Sequence, residues 1–184
     1  MASAVDVSNM ALTLIGHEKI TSLSGENEAA RKCSVFLQPA IDETLRSYNW
    51  NCAMVRASLA QLSETPAFGF SYIYQLPTAC LRVIQMSDNA IKFKVEGKKL
   101  LCDESTAKIL YVARIDVSAM DPLLVGTIAA RMAADLAFSM ANSRTLQEQM
   151  YGLYRQRLIE AASTDAQEGT PDDPEVTTYI DERY

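Results

Sequence analysis

The apolar residues at the beginning of the chain follow the period of a helix. After Ser3 they recur every three or four positions, at Val7, Met10, Ala11 and Leu14. This spacing places them on one face of an α-helix. Ser3 and Asp6 have the spacing of a capping pair, and Gly16 is a natural helix end. The pattern therefore predicts a helix from about Ser3 to Ile15.

The same spacing returns in a second segment, from about Ser24 to Tyr48. Its apolar positions are Ala30, Cys33, Leu37, Ile41 and Leu45. Pro39 lies inside this pattern, and a proline in a helix interior removes a hydrogen bond and clashes with the preceding turn. We therefore expect a kink or a break between Phe36 and Pro39. Residues 51–61 are predicted to add a further helical stretch.

Between residues 66 and 116 the period changes to two. Three apolar positions, Ile91, Phe93 and Val95, alternate with three charged ones, Lys92, Lys94 and Glu96. Such alternation is typical of a half-buried strand, and the following Gly97 favours a hairpin turn. Residues 70–74 and 109–115 are predicted to form further strands. The segment thus predicts a small antiparallel sheet of about 50 residues.

Helical spacing resumes at Asp121 and Pro122, which are a favoured N-cap and a favoured first helical residue. The apolar positions that follow are spaced by four residues: Leu124, Ile128, Met132, Leu136 and Met140. A last helix is predicted from Arg144 to about Ala166. In it, Tyr151 and Tyr154 are compatible with either a core or an interface position.

The predicted fold class is mainly α: a bundle of about four helices with an inserted small antiparallel β domain and an extended C-terminal tail. The predicted domains are a helical core of residues 1–65 and 117–169, a β-rich insertion of residues 66–116, and an acidic tail of residues 170–184. Trp50, the one tryptophan, is expected to be a core anchor where the helical and β parts meet.

Charge is concentrated at one end of the sequence. Residues 164–184 hold seven acidic residues and one arginine, which accounts for the whole net charge of −6. The rest of the chain is neutral and has no basic stripe, which argues against a DNA-binding module. Within the tail, four bulky side chains are predicted to bind a partner: Val176, Tyr179, Ile180 and Tyr184.

Candidate chemistry in the sequence is sparse. The four cysteines form no CxxC pair and are expected to be buried free thiols, and His17 is the one histidine. Neither a nucleophile motif nor a phosphate-binding glycine loop occurs. Paired carboxylates do occur, at Glu26 and Glu28, Asp42 and Glu43, Asp103 and Glu104, and Asp172 and Asp173. We interpret them as solvated surface, so we assign no catalytic residue, no cofactor and no metal.

Several segments resemble, in order, the head-to-tail adaptor family of short-tailed bacteriophages, which includes the tail tubular protein A group. The resemblance covers about residues 8–165. The segments that carry it are Ala11–Leu12, Ile15–Gly16, Ile20–Leu23, Leu45–Ala53, Arg56–Ala60, Tyr74–Pro77, Cys80–Val83, Val95–Leu100, Asp121–Leu123 and Ala129–Ala137. Pro39 departs from the family pattern, and residues after Gly169 match none of its motifs.

The resemblance implies a structural role and no enzymatic activity. Family members form a homo-oligomeric ring, usually a dodecamer, below the portal protein, and this ring gives the tail nozzle protein a platform. Genomic DNA passes through the lumen without specific binding, and no membrane is involved. The implied location is the tail or neck of the virion, after synthesis in the host cytoplasm.

Two other functions remain open from the sequence. A head-completion protein of a long-tailed phage is the alternative within the same class, and the size of the β segment favours the short-tailed type. A virion-associated hydrolase of cell wall or polysaccharide is the alternative from another class. That activity needs two carboxylates across a cleft, one of them with a raised pKa.

Overall fold

A computed structural model describes residues 2–168 of the 184-residue chain. Its four α-helices are α1 (Ala4–Leu14), α2 (Glu28–Ser47), α3 (Pro122–Ala141) and α4 (Arg144–Asp165). Its seven strands are β1 (Met54–Ser58), β2 (Ala60–Gln61), β3 (Tyr72–Gln75), β4 (Cys80–Met86), β5 (Phe93–Glu96), β6 (Lys99–Cys102) and β7 (Lys108–Ala113). Short 3-10 turns occur at Asn51–Ala53, Val117–Ala119 and Ala166–Glu168.

The strands form two antiparallel sheets. The inner sheet has the order β1-β7-β4, and the outer sheet has the order β2-β3-β6-β5. Alternate residues of β7 point to opposite faces: Val112 belongs to the helical core, whereas Ile109 and Tyr111 belong to the core shared with the outer sheet. The inner sheet therefore lies between the helices and the outer sheet, and the described residues form three layers.

Helix α3 is the centre of the helical layer and contacts each of the other three helices. Eleven of its 20 residues are buried. Three of its alanines, Ala129, Ala130 and Ala133, are fully enclosed and let the neighbouring helices approach closely. By length and composition α3 could also cross a membrane, but a buried core helix meets the same criterion, and most of α3 is covered by protein.

The local signals at three helix ends are confirmed. Ser3 and Asp6 form the capping box of α1, and Asp121 caps α3 with Pro122 in its first turn. Gly16 follows α1 with a φ of 73°, in the left-handed region that glycine tolerates best. Helix α2 begins later than predicted, because Asn27 supplies the cap by accepting a hydrogen bond from the backbone N–H of Ala30.

The predicted fold class, a mainly α bundle with a small inserted β domain, is wrong. The fold is mixed α/β, with four helices (49% helical) and seven strands (19%) in two antiparallel sheets. The two sheets enclose a core of their own, which includes Tyr74, Met86 and Leu100. With this second core, the β part supplies two of the three layers. The proposed domain boundaries stay a prediction, although β1 and β2 precede residue 66.

The helical stretch predicted at residues 51–61 is also wrong. After one 3-10 turn, β1 and β2 occupy this segment. Its alanine, methionine, leucine and glutamine residues favour helix locally. However, β1 pairs along its whole length with β7, from Met54 opposite Val112 to Ser58 opposite Lys108. Since β1 is largely exposed, this pairing with β7 is what outweighs the local propensity.

Pro39 does not break α2. The helix runs from Glu28 to Ser47 with Pro39 on its exposed side. The neighbouring Leu37, Ala40 and Ile41 are buried in the helical core. Since most helical stability in proteins comes from packing of the apolar face, this burial sustains the helix across the hydrogen bond that proline removes.

Candidate interaction surfaces

The four predicted partner-binding residues, Val176, Tyr179, Ile180 and Tyr184, lie outside the described residues. Their role as anchors on the portal protein or on a neighbouring subunit therefore stays a prediction. The described residues show instead which contacts the other candidate residues make, and which side chains are exposed to a partner.

Four of the carboxylates noted in the sequence have polar partners among the described residues. The pairs are Glu28 with Lys32 (2.6 Å), Asp42 with Arg114 (2.8 Å), Glu43 with Arg131 (2.8 Å) and Asp103 with Ser71 (2.9 Å). His17 is exposed in the connection after α1. Within residues 2–168, no three His, Cys, Asp or Glu side chains are grouped so that they could hold a metal ion. Asp42, Glu43 and Asp103 thus connect separate parts of the fold, whereas the Glu28 bond lies within α2.

Trp50 anchors the junction between the helices and the inner sheet, as the sequence predicted. Its side chain is 1% exposed. Its ring meets Tyr48 edge-on at 5.1 Å between centroids. The indole N–H donates to the backbone carbonyl of Thr44, at 2.9 Å. This bond satisfies the indole inside the core and closes the end of α2.

Asp165 links the end of α4 to the same junction. Both of its carboxylate oxygens accept from the backbone N–H of Asn51, each at 3.1 Å. The Asn51 side chain donates back to the backbone carbonyl of Asp165, at 2.7 Å. Burial raises the pKa of Asp165, and the nearby negative charges of Glu168 and Asp121 raise it further, against the lowering effect of the Asn51 hydrogen bond.

Substitutions of Asp165 separate the hydrogen bond from the charge. Asp165→Ala leaves the Asn51 N–H without its acceptor and is expected to cost about 1–3 kcal/mol of unfolding free energy. Asp165→Asn keeps an acceptor oxygen and removes a buried charge, so at neutral pH it is expected to be at least as stable as the wild type. Urea unfolding of the three proteins measures both effects.

The pH dependence of this difference follows from the raised pKa of Asp165. A carboxyl group with a raised folded-state pKa stabilises the fold below its unfolded-state pKa, about 3.9. That contribution is lost as the pH rises through the folded-state value. The wild type should therefore lose stability relative to Asp165→Asn as the pH rises from about 3.9 to neutral. A difference that stays constant over this range would contradict the assignment.

Arg131 joins three helices through one charged group. From α3 its guanidinium contacts Glu43 of α2 and Asp135, both at 2.8 Å. It also lies over the ring of Tyr154 of α4, at 6.0 Å from the centroid. The Arg131 side chain is only 16% exposed. Tyr154, which the sequence left open as core or interface, is a core residue.

Helix α4 presents the most open face of the helical layer. Only Tyr154, Ala161 and Asp165 of its 22 residues are buried. On its outer side, Tyr151, Arg155 and Ile159 are spaced by four residues and lie along one stripe. Tyr151 is 44% exposed and Ile159 is 71% exposed, and the Arg155 guanidinium lies 5.6 Å from the centre of the Tyr151 ring. We call these three residues the α4 outer face.

Other exposed apolar side chains are distributed over separate elements. The most exposed of them are Val35 on α2, Phe138 near the end of α3 and Phe68 in the loop before β3. Single exposed apolar residues are common on proteins, so each alone indicates little. Sequence spacing did not identify Val35 or Ile159, because a helix with several apolar positions gives no signal for which one is left uncovered.

The residues of the resemblance have local structural roles. They supply the Trp50 anchor, the Asp121 cap and the β5–β6 turn, where Gly97 has a φ of 61°. Comparison of the sequence with protein-family models and with curated proteins finds no match.

Proposed function

We propose that this chain is a structural head-to-tail adaptor subunit of a short-tailed phage. It forms a ring below the portal protein, extends the DNA channel and gives the tail nozzle protein its platform. The proposal rests on the ordered resemblance over about residues 8–165, and the structure adds a physical role for its segments.

The observation that carries the proposal is where those segments fall in the fold. The segment Leu45–Ala53 closes α2 and leads into β1 through buried Trp50. The segment Val95–Leu100 forms the β5–β6 turn, and Ala129–Ala137 is the buried centre of α3. In these segments Trp50 and the alanines of α3 are buried, and Gly97 has the positive φ of the turn. A subunit that works by its shape in a ring depends on such residues, which supports the proposal.

A ring also needs two different surfaces on each subunit, because its contacts run head to tail. The α4 outer face is a suitable first surface. Tyrosine and arginine, the types found at Tyr151 and Arg155, are enriched at protein interfaces. The apolar Ile159 beside them would be covered by the next subunit.

The isolated chain is expected to be a monomer or a small oligomer. The α4 outer face holds two large apolar side chains among polar neighbours, whereas obligate interfaces resemble a protein core. The portal would then act as the template on which the ring grows. Sedimentation velocity of the purified chain measures this directly. A stable dodecamer without portal protein would contradict the order of assembly.

The function is tested by removing the gene from the phage that encodes this chain. The expected particles contain portal protein and DNA but lack the nozzle protein, and supplying the chain in trans restores infectivity. In the matched comparison, the Tyr151→Ala or the Ile159→Asp variant is supplied in trans. Each is expected to restore infectivity less well than the Lys92→Ala control. Complete tails on particles without the chain would overturn the proposal.

A further inference from the structure

A basic pocket lies where the last turn of α2 meets the start of β4 and the β5–β6 turn. Its volume is about 370 Å³. Three cationic side chains line it: Arg46 from α2, Arg82 from β4 and Lys98 from the turn. Apolar walls are supplied by Leu76, Pro77 and Val95. No carboxylate is among the lining residues, so the pocket combines positive charge with an apolar surface.

The cations of this pocket retain unused hydrogen-bond donors. Arg46 donates to the backbone carbonyl of Leu81, and Arg82 donates to the side chain of Asn49 at 2.5 Å. A guanidinium has five N–H donors, so each arginine keeps donors beyond this one bond. Within the same residues, none of the three cations forms an ion pair. The pocket can therefore accept a carboxylate.

We propose that the acidic segment of residues 170–184 of this protein binds in the basic pocket. The segment has five acidic residues and one arginine, which complement three cations without a carboxylate partner. It also carries Val176, Tyr179 and Ile180, which fit the apolar walls. The surrounding acids supply the charge and these side chains supply the apolar contact. This inference does not depend on the adaptor role.

The acidic segment starts close to the pocket, because the end of α4 is bonded to the same connection that contacts the pocket. Asp165 is bonded to Asn51, and Asn49, two residues earlier, is bonded to Arg82 of the pocket. An extended chain advances about 3.3 Å per residue, so Tyr179 can reach roughly 36 Å from Glu168. This reach allows the segment to bind in the pocket of its own chain or, where two copies associate, in the pocket of the other copy. In a ring, binding to the adjacent pocket would join neighbours.

The shape of the pocket favours a peptide over nucleic acid. A DNA backbone presents a continuous row of phosphates and is bound by an extended basic stripe. Here the three cations surround a recess with apolar walls. A carboxylate-bearing segment with apolar side chains satisfies both features, whereas a phosphate would use the cations alone.

The test is photocrosslinking of the full-length chain with benzoylphenylalanine in place of Tyr179. Mass spectrometry is expected to locate the crosslinks in peptides that contain Pro77, Leu81 or Val95. Lys98→Glu should lower their yield about two- to fivefold, the range of one exposed ion pair. Lys92→Glu, an exposed lysine next to the same hairpin and outside the pocket, is the matched control and should leave the yield unchanged.

Exchanging the two charges of a proposed ion pair separates loss of binding from loss of folding, because the double variant restores the attraction. Asp181→Lys alone should lower the yield, and Asp181→Lys combined with Lys98→Glu should restore it. Mixing isotopically heavy and light chains shows whether a crosslink lies within one chain or between two, and either result supports the proposal. Crosslinks elsewhere on the protein would overturn it. A second result would also overturn it: the Lys98→Glu protein gives an unchanged crosslink yield but binds a short DNA duplex more weakly than the wild type. The pocket would then bind nucleic acid and not the acidic segment.

Discussion

Replacing Trp50 by alanine is expected to lower the unfolding free energy by about 3–5 kcal/mol, the usual cost of deleting a large aromatic side chain from a core. Trp50 is 1% exposed and lies between α2 and the inner sheet. The substitution leaves a cavity at the segment that connects α2 with β1. It also removes the indole N–H that donates to the Thr44 carbonyl at 2.9 Å, which leaves that carbonyl with the Ser47 hydroxyl as its side-chain donor.

Urea unfolding followed by circular dichroism measures this loss, because the fluorescence of the protein's one tryptophan disappears with the substitution. Trp50→Phe is the matched control. It keeps most of the aromatic volume and loses the hydrogen bond, so it should cost clearly less than alanine. A loss below about 1 kcal/mol for Trp50→Ala would be typical of a surface position and would show that Trp50 is not an anchor.

The second large effect is expected at Arg131. Arg131→Ala should cost about 1.5–3 kcal/mol, the range for losing hydrogen bonds to charged groups, because Arg131 is largely buried while Glu43 is half exposed and partly solvated. Two carboxylates, Glu43 and Asp135, would lose their shared cation at once. The contact with the Tyr154 ring would also be lost.

The triple variant Arg131→Met, Glu43→Gln, Asp135→Asn separates charge from packing. It removes all three charges and keeps most of the side-chain volume, so it should be more stable than Arg131→Ala. Thermal unfolding of both variants gives the comparison. If Arg131→Ala is as stable as the wild type, the guanidinium does not hold α2, α3 and α4 together.

Short-range signals in the sequence predicted the ends of helices well. The capping pair of Ser3 and Asp6 and the Asp121 cap are set by contacts between residues close in sequence. The buried alanines of α3 follow from helical period alone. Such features need no knowledge of distant segments, because their physical cause lies within one turn of helix.

Long-range contacts were not predictable in the same way. Residues 54–58 form a strand because β7, about 50 residues later, pairs with them. The same limit applies to the basic pocket, since Arg46, Arg82 and Lys98 come from three elements and share no spacing in the sequence. The mixed α/β class depends on these contacts between distant segments, and local propensity therefore gave the wrong class.

The central claim is that the chain binds the portal as a ring subunit. Native mass spectrometry of the portal protein of the same phage, alone and mixed with excess full-length chain, tests it most directly. We expect one complex heavier than the portal ring by an integral multiple of 20.3 kDa, twelve copies for the ring that the resemblance implies. A mixture that shows only the separate masses of portal and chain would contradict the adaptor role.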